Sequence, residues 1–87
     1  MLIEDKILGI IQEASGKDAS TIKRSDAIKD IIEDSIFIVE LILRTESTFN
    51  FSILDTEFEK LITIGDFIDF VKGREKIWNE YKKVKGS

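Results

Sequence analysis

The stretch DSIFIVELILRTESTF, residues 34–49, decides how this chain is read. Asp34 and Ser35 are both N-cap residue types, with a side-chain oxygen that can accept from a free N–H of a first helical turn. The run after them holds no Pro or Gly, and Asn50-Phe51-Ser52 breaks its pattern, so a helix is predicted over 35–48. At about 100° per residue its faces separate. Ile38, Leu41, Ile42, Thr45 and Phe49 form one stripe, suited to a core. Ile36, Glu40, Leu43 and Ser47 form another on nearly the opposite side, bordered by Val39 and Glu46. Phe37 and Arg44 share a third edge. The second stripe is either tucked under a neighbouring loop or a docking surface, with Ile36 and Leu43 for apolar contact and Glu40 and Glu46 for charge.

Upstream, Ile3, Ile7, Ile10, Ile11 and Ala14 fall at helical spacing and Gly16 stands where a left-handed C-cap would sit, so a first helix is predicted over 2–15. Residues 16–34 are polar and broken, and read as a long loop that only Ile22, Ile28, Ile31 and Ile32 can anchor to a core. A loop of that length in a small domain is often functional. Downstream, Asp55 is placed to cap a short helix over 56–61. Thr63 with Asp66 resembles a capping box that opens a last helix at about 64, with Ile64, Phe67, Ile68 and Val71 on one face. Gly73 is placed to end or weaken it, and Ile77, Trp78, Tyr81 and Val84 continue at helical spacing, so an extended or resumed helix is expected to about 84.

Composition removes most chemistries. The 87 residues make one small domain without His, Cys or Pro. That excludes Ser-His and Cys-His nucleophilic sites, thiol redox chemistry, disulfides and Cys/His zinc sites. No Asp/Glu pair stands out as an acid/base constellation, so an independent enzyme is disfavoured. Charged residues are 34% of the chain, and no apolar run nears the roughly 20 residues of a membrane span. The N-terminus carries Glu4 and Asp5 where a signal peptide would carry Lys or Arg, so a cytoplasmic protein is expected.

The net charge of −4 is unevenly placed. Residues 1–71 hold 15 acids against 7 bases, and residues 72–87 hold 2 acids against 6 bases. A body at −8 suits a basic protein partner and argues against nucleic acid, whose phosphates demand a Lys/Arg surface. The plainer meaning of the acidity is solubility.

Ser35 carries two readings. A Ser before an apolar helix is ordinarily a cap. It has no His or Lys beside it in sequence to activate it, so it is a poor enzyme nucleophile. A helix N-terminus is nevertheless suited to holding a phosphate near free N–H groups, and a Ser there can carry a phosphodiester.

At these residues the chain resembles the acyl carrier protein family. Asp34-Ser35-Ile36 looks like the family's Asp-Ser-Leu attachment motif, and the likeness continues through Val39, Glu40, Leu41, Glu46 and Phe49. It resumes at Ile53, Asp55, Glu57, Glu59, Lys60 and Ile64 and covers about residues 2–72. The resemblance implies an all-α four-helix bundle of acyl-carrier type, with a short third helix and a long loop between the first two. It implies a carrier domain over 1–72, with 73–87 left as a basic C-terminal helical extension or tail. It implies that a phosphopantetheinyl transferase attaches 4′-phosphopantetheine from coenzyme A to Ser35, with Asp34 as the flanking motif residue. The thiol of that arm would carry acyl groups as thioesters to synthase, ligase or acyl-transferring enzymes with basic docking patches. Ile36, Glu40, Leu43 and Glu46 are then the docking candidates, and a monomer in fatty acid or polyketide-type synthesis is the first expectation.

The chain departs from the family pattern in places. Ile32 stands where the family has Gly two residues before the motif Asp, and Leu54 replaces the usual Pro before the third helix. Arg44, Ser47 and Thr48 thin the acidic second helix, and Phe37 replaces a typically polar residue. These changes imply a specialised carrier. A D-alanyl or an aminoacyl/peptidyl carrier shares the motif, and Asp55-Thr56-Glu57-Phe58 faintly resembles the D-alanyl type. The alternative of another class is a small acidic helical adaptor in which Ser35 only caps its helix.

Overall fold

The apolar spacing of the first segment resolves into α1, Ile3–Ser15, whose Ile7, Ile10, Ile11 and Ala14 are buried. A computed structural model describes the backbone over residues 2–86 and side chains through residue 77. Gly16 ends α1 in the left-handed region at φ 75°, its N–H donating to Gln12 O at 2.8 Å. Without a Cβ, Gly16 holds that conformation at no steric cost, as its position predicted.

Residues 16–34 are more ordered than a long loop. They contain a 3-10 turn at Ala19–Thr21 and a single α-turn, α2, at Ile28–Ile31. Asp18 caps the 3-10 turn by accepting from Ser20 N–H. Ile22, Ile28, Ile31 and Ile32 are all buried, as expected of the anchors. Backbone bonds from Ile28 N–H to Ile62 O, from Ile64 N–H to Asp26 O and from Gly65 N–H to Arg24 O strap this segment to the start of the last helix. Arg24 adds ion pairs to Glu4 and Asp69.

The decisive stretch forms α3, Ser35–Phe49, ended by Asn50 at φ 60°. Leu41, Thr45 and Phe49 are buried, while Ile38 and Ile42 are half-buried and flank them. The Thr45 hydroxyl satisfies itself one turn back, donating to Leu41 O at 2.7 Å. Helix α4 spans Asp55–Phe58, one residue earlier and three shorter at its end than predicted. The cap position is Leu54 rather than Asp55, and the Glu57 carboxylate accepts from Leu54 N–H at 3.0 Å. Bonds from Lys60 N–H to Glu57 O and Leu61 N–H to Phe58 O then tighten the chain out of the α-turn.

Helix α5 spans Ile64–Gly86. Its start is the predicted capping box: Asp66 N–H donates to the Thr63 hydroxyl, and the Asp66 carboxylate accepts from Thr63 N–H. Ile64, Phe67, Ile68 and Val71 are buried. At Gly73 the helix continues, so of the extended and the resumed helix it is the extended one that forms. An interior Gly costs only about 0.5–1 kcal/mol, and the next residue is held strongly. Arg74 ion-pairs with Glu57, donates to Ser52 O at 3.1 Å, and sits over the rings of Phe51 and Phe70. The side chains of Trp78, Tyr81 and Val84, expected to continue the helical spacing, lie outside the described residues.

The architecture is therefore an all-α bundle, as expected, with α1, α3 and α5 around an isoleucine-rich core and short α4 beside them. No helix among the described residues is long and apolar enough to cross a membrane.

Candidate functional site

The N-terminus of α3 presents Ser35. The capping role belongs to Asp34, whose backbone is extended at φ −88° and ψ 127° and whose Oδ1 accepts from Ile36 N–H at 2.9 Å. Ser35 is the first helical residue and is exposed. Among the described residues its hydroxyl has no hydrogen-bond partner. This corrects the reading of Ser35 as a cap, because the residue before it already does that work. The hydroxyl is free, and no neighbouring base engages it.

Ser35 also stands on the rim of an apolar cleft of about 490 Å³. Ile28 and Ile32 wall one side, Ile38 of α3 another, and Phe58, Leu61 and Ile62 the third. Lys29, Glu33 and Glu59 supply the polar rim. Phe58 separates the cleft from the core, meeting the buried Phe67 edge-on with ring centroids 6.0 Å apart. The volume lies within the range of small-molecule pockets, which are mostly apolar with few polar groups. Residues 27–38 and 58–62 meet here because of the backbone strapping described above. Ile28, Ile32 and Ile38 were read from the sequence only as core positions, and Leu61 and Ile62 were not singled out. The signal was there in Leu61 and Ile62, adjacent apolar residues between two helices, of which Ile62 is 68% exposed.

The predicted docking residues divide. Ile36 is 70% exposed, Leu43 58% and Val39 55%, so the outward stripe is not tucked under residues 16–34. Phe37 is 46% exposed beside it. The carboxylates are less free. Glu40 accepts from Arg44 Nε at 2.8 Å and lies 2.7 Å from its Nη2. The Arg44 Nη1 reaches Glu13 of α1 at 2.7 Å. The hydrogen bond to Glu40 raises the pKa of the Arg44 guanidinium above its already high ordinary value. Glu46 is half-buried, and its Oε2 accepts from Ile53 N–H at 2.7 Å, holding the chain that leaves α3.

No group of three or more His, Cys, Asp or Glu suited to a metal ion occurs among the described residues. The arrangement offers a free hydroxyl at a helix N-terminus, an apolar cleft beside it, and an exposed aliphatic stripe on the same helix.

No family model matches the chain. The acyl carrier protein of Chlamydia caviae is 41% identical over 76 residues, covering 86% of this chain and 99% of that protein. The acyl carrier protein of Chlamydia felis is 40% identical over 76 residues, covering 86% and 97%. That of Clostridium acetobutylicum is 38% identical over 72 residues, covering 82% and 94%. The chain belongs to the acyl carrier protein family. It is accordingly a carrier protein in acyl-group handling, and a non-catalytic one.

Proposed function

We propose that Ser35 carries 4′-phosphopantetheine and that the chain delivers acyl thioesters to enzymes of fatty acid or polyketide-type synthesis. The observation that carries this reading is the unbonded, exposed Ser35 hydroxyl directly after a residue that caps the helix. In the attachment step the Ser35 oxygen attacks the pantetheine-side phosphorus of coenzyme A. The phosphoanhydride bond breaks, the adenosine bisphosphate portion leaves, and the hydroxyl proton passes to a base of the phosphopantetheinyl transferase. The new phosphodiester would stand at the N-terminus of a 15-residue helix, whose dipole favours negative charge. The bound arm supplies the thiol that a chain without Cys lacks.

The remaining roles follow from placement. Asp34 fixes the first turn so that Ser35 points to solvent. Ile28, Ile32, Ile38 and Phe58 offer an apolar seat for an acyl chain within reach of Ser35. Ile36 and Leu43 with Glu40 and the outer oxygen of Glu46 form the docking face for the transferase and for synthase or ligase partners with basic patches. Residues 1–72 act as the carrier domain of a cytoplasmic monomer, with 73–87 as its basic helical extension.

The test is an intact mass after incubation with coenzyme A, magnesium and a broad-specificity phosphopantetheinyl transferase. The expected result is the gain of one phosphopantetheine, abolished in Ser35→Ala. No gain with a transferase shown to be active on another carrier would overturn the reading and favour the adaptor.

A further inference from the structure

Arg44 is the only basic residue between Lys29 and Lys60, and it stands on the edge of α3 that reaches α1, beside the outward stripe. It engages two carboxylates at once, Glu40 one turn earlier and Glu13 across on α1. The side chains of the trio are all substantially exposed, at 44% for Arg44, 36% for Glu40 and 62% for Glu13. A partner that approaches with Lys or Arg therefore meets two negative charges of which one is already countered from within. Glu46 offers little more, since one of its oxygens is turned to Ile53 N–H. The open surface on this helix is instead the aliphatic stripe of Ile36, Val39 and Leu43, with acidic Glu33 and Asp34 at the Ser35 end.

We propose that Arg44 is a specificity-determining residue of the docking face, competing with a partner's basic side chains for Glu40 and Glu13. The inference rests on the carrier reading above and names the partner chemistry that goes with it. The face selects a protein with an apolar groove for Ile36, Val39 and Leu43 and a basic cluster at the Ser35 end. It discriminates against one that reads charge along the whole helix. Exposed ion pairs are weak and screened by salt, so Arg44 can be displaced. A basic partner then gains only the difference between its own contact and the one it breaks, and it must also approach a fixed positive charge.

The experiment measures phosphopantetheinylation kinetics with a transferase whose carrier-facing surface is basic. In Arg44→Gln the KM for the carrier should fall about two- to fivefold at low ionic strength, the range that one exposed pair supports. The kcat and the helical circular dichroism should stay unchanged. The gain should vanish at high salt and shrink when Glu13→Gln and Glu40→Gln are combined with it. Leu43→Ala should raise KM at both salt levels. A merely structural Arg44 would leave KM unchanged or raise it, and either outcome in a folded variant overturns the proposal. So does a fall in KM that persists at high salt. If wild type gains no phosphopantetheine at all, the carrier reading falls and this inference with it. If wild type is modified and Arg44→Gln shows no gain, only this inference falls.

Discussion

Replacing Asp34 by Ala and, separately, Ser35 by Ala distinguishes a capping residue from a free hydroxyl one position along the same helix. Asp34 Oδ1 accepts from Ile36 N–H at 2.9 Å, one of the donors that a helix N-terminus leaves unpaired. Loss of such a cap costs about 1 kcal/mol, within a range of about 0.5–2. The site is exposed, so water can reach the freed N–H, which keeps the cost near the middle of that range. In a domain of this size 1 kcal/mol moves Tm by about 4–8 °C, and Asp34→Ala should fall by that amount. Ser35 occupies the first helical position with no side-chain bond and open solvent around it. Its removal should change stability by no more than about 0.5 kcal/mol, the usual span for surface substitutions. Far-UV circular dichroism melts of the three proteins, all in the unmodified form, make the comparison. If Ser35→Ala costs as much as Asp34→Ala, Ser35 shares the cap, and the reasoning that its hydroxyl is unoccupied is refuted.

Three further outcomes follow from the fold. Gly16→Ala should lose about 1 kcal/mol in urea unfolding, because an Ala Cβ is disfavoured at φ 75°; an unchanged midpoint would contradict the left-handed cap. Arg74→Ala should lower Tm by several degrees, since exposed cation–π contacts are worth about 0.5–1 kcal/mol each and Arg74 makes two besides its pair with Glu57; full stability in the variant would mean that helix α5 crosses Gly73 without that anchor. Acid should destabilise the fold through carboxylates whose pKa is lowered. Hydrogen bonds from the Thr63 and Ile62 N–H groups lower Asp66 below its ordinary 3.8, and the Leu54 N–H, with help from Arg74, lowers Glu57 below 4.5. Such groups stabilise fully above the unfolded pKa and lose that contribution as pH falls through the folded one. The urea midpoint of wild type should exceed that of Asp66→Asn at neutral pH, and the two should converge below about pH 4. A gap that widens on acidification would reverse the sign of the argument.

Local signals in the sequence carried the helices well. The spacing of Ile7, Ile10, Ile11 and Ala14, the Thr63–Asp66 box and the Leu41–Thr45–Phe49 stripe need only neighbours within two turns, and each appears where the pattern puts it. Adjacent capping residues are harder. Asp34 and Ser35 are equally good caps by type, and only the backbone of the folded chain decides that the helix begins after Asp34. Gly73 left an extended and a resumed helix both open for a similar reason, because its local cost is small beside the Phe51, Glu57 and Phe70 contacts that fold back onto Arg74 from elsewhere.

At the site, the hydroxyl and the outward aliphatic stripe were legible from helical geometry alone. The cleft was not, because Ile28 and Ile32 meet Phe58, Leu61 and Ile62 only through the straps between the 22–28 segment and the start of α5. Nor was the state of the docking charges. Glu40 and Arg44 stand at i, i+4 and could be paired on paper, but Glu13 joins them from 31 residues away. Glu46 looked like a border residue of the stripe and proves to serve the turn after α3.

The most direct measurement of the central claim uses a feature of the sequence itself. Trypsin cleavage after Lys29 and Arg44 releases DIIEDSIFIVELILR, residues 30–44, in which Ser35 is the only hydroxyl-bearing side chain. After treatment with coenzyme A and a phosphopantetheinyl transferase, fragmentation mass spectrometry should find phosphopantetheine on this peptide, at Ser35. The rest of the digest should be unmodified. A modified protein whose phosphopantetheine lies on any other peptide, or a peptide 30–44 left bare by a transferase active on a control carrier, would contradict the account.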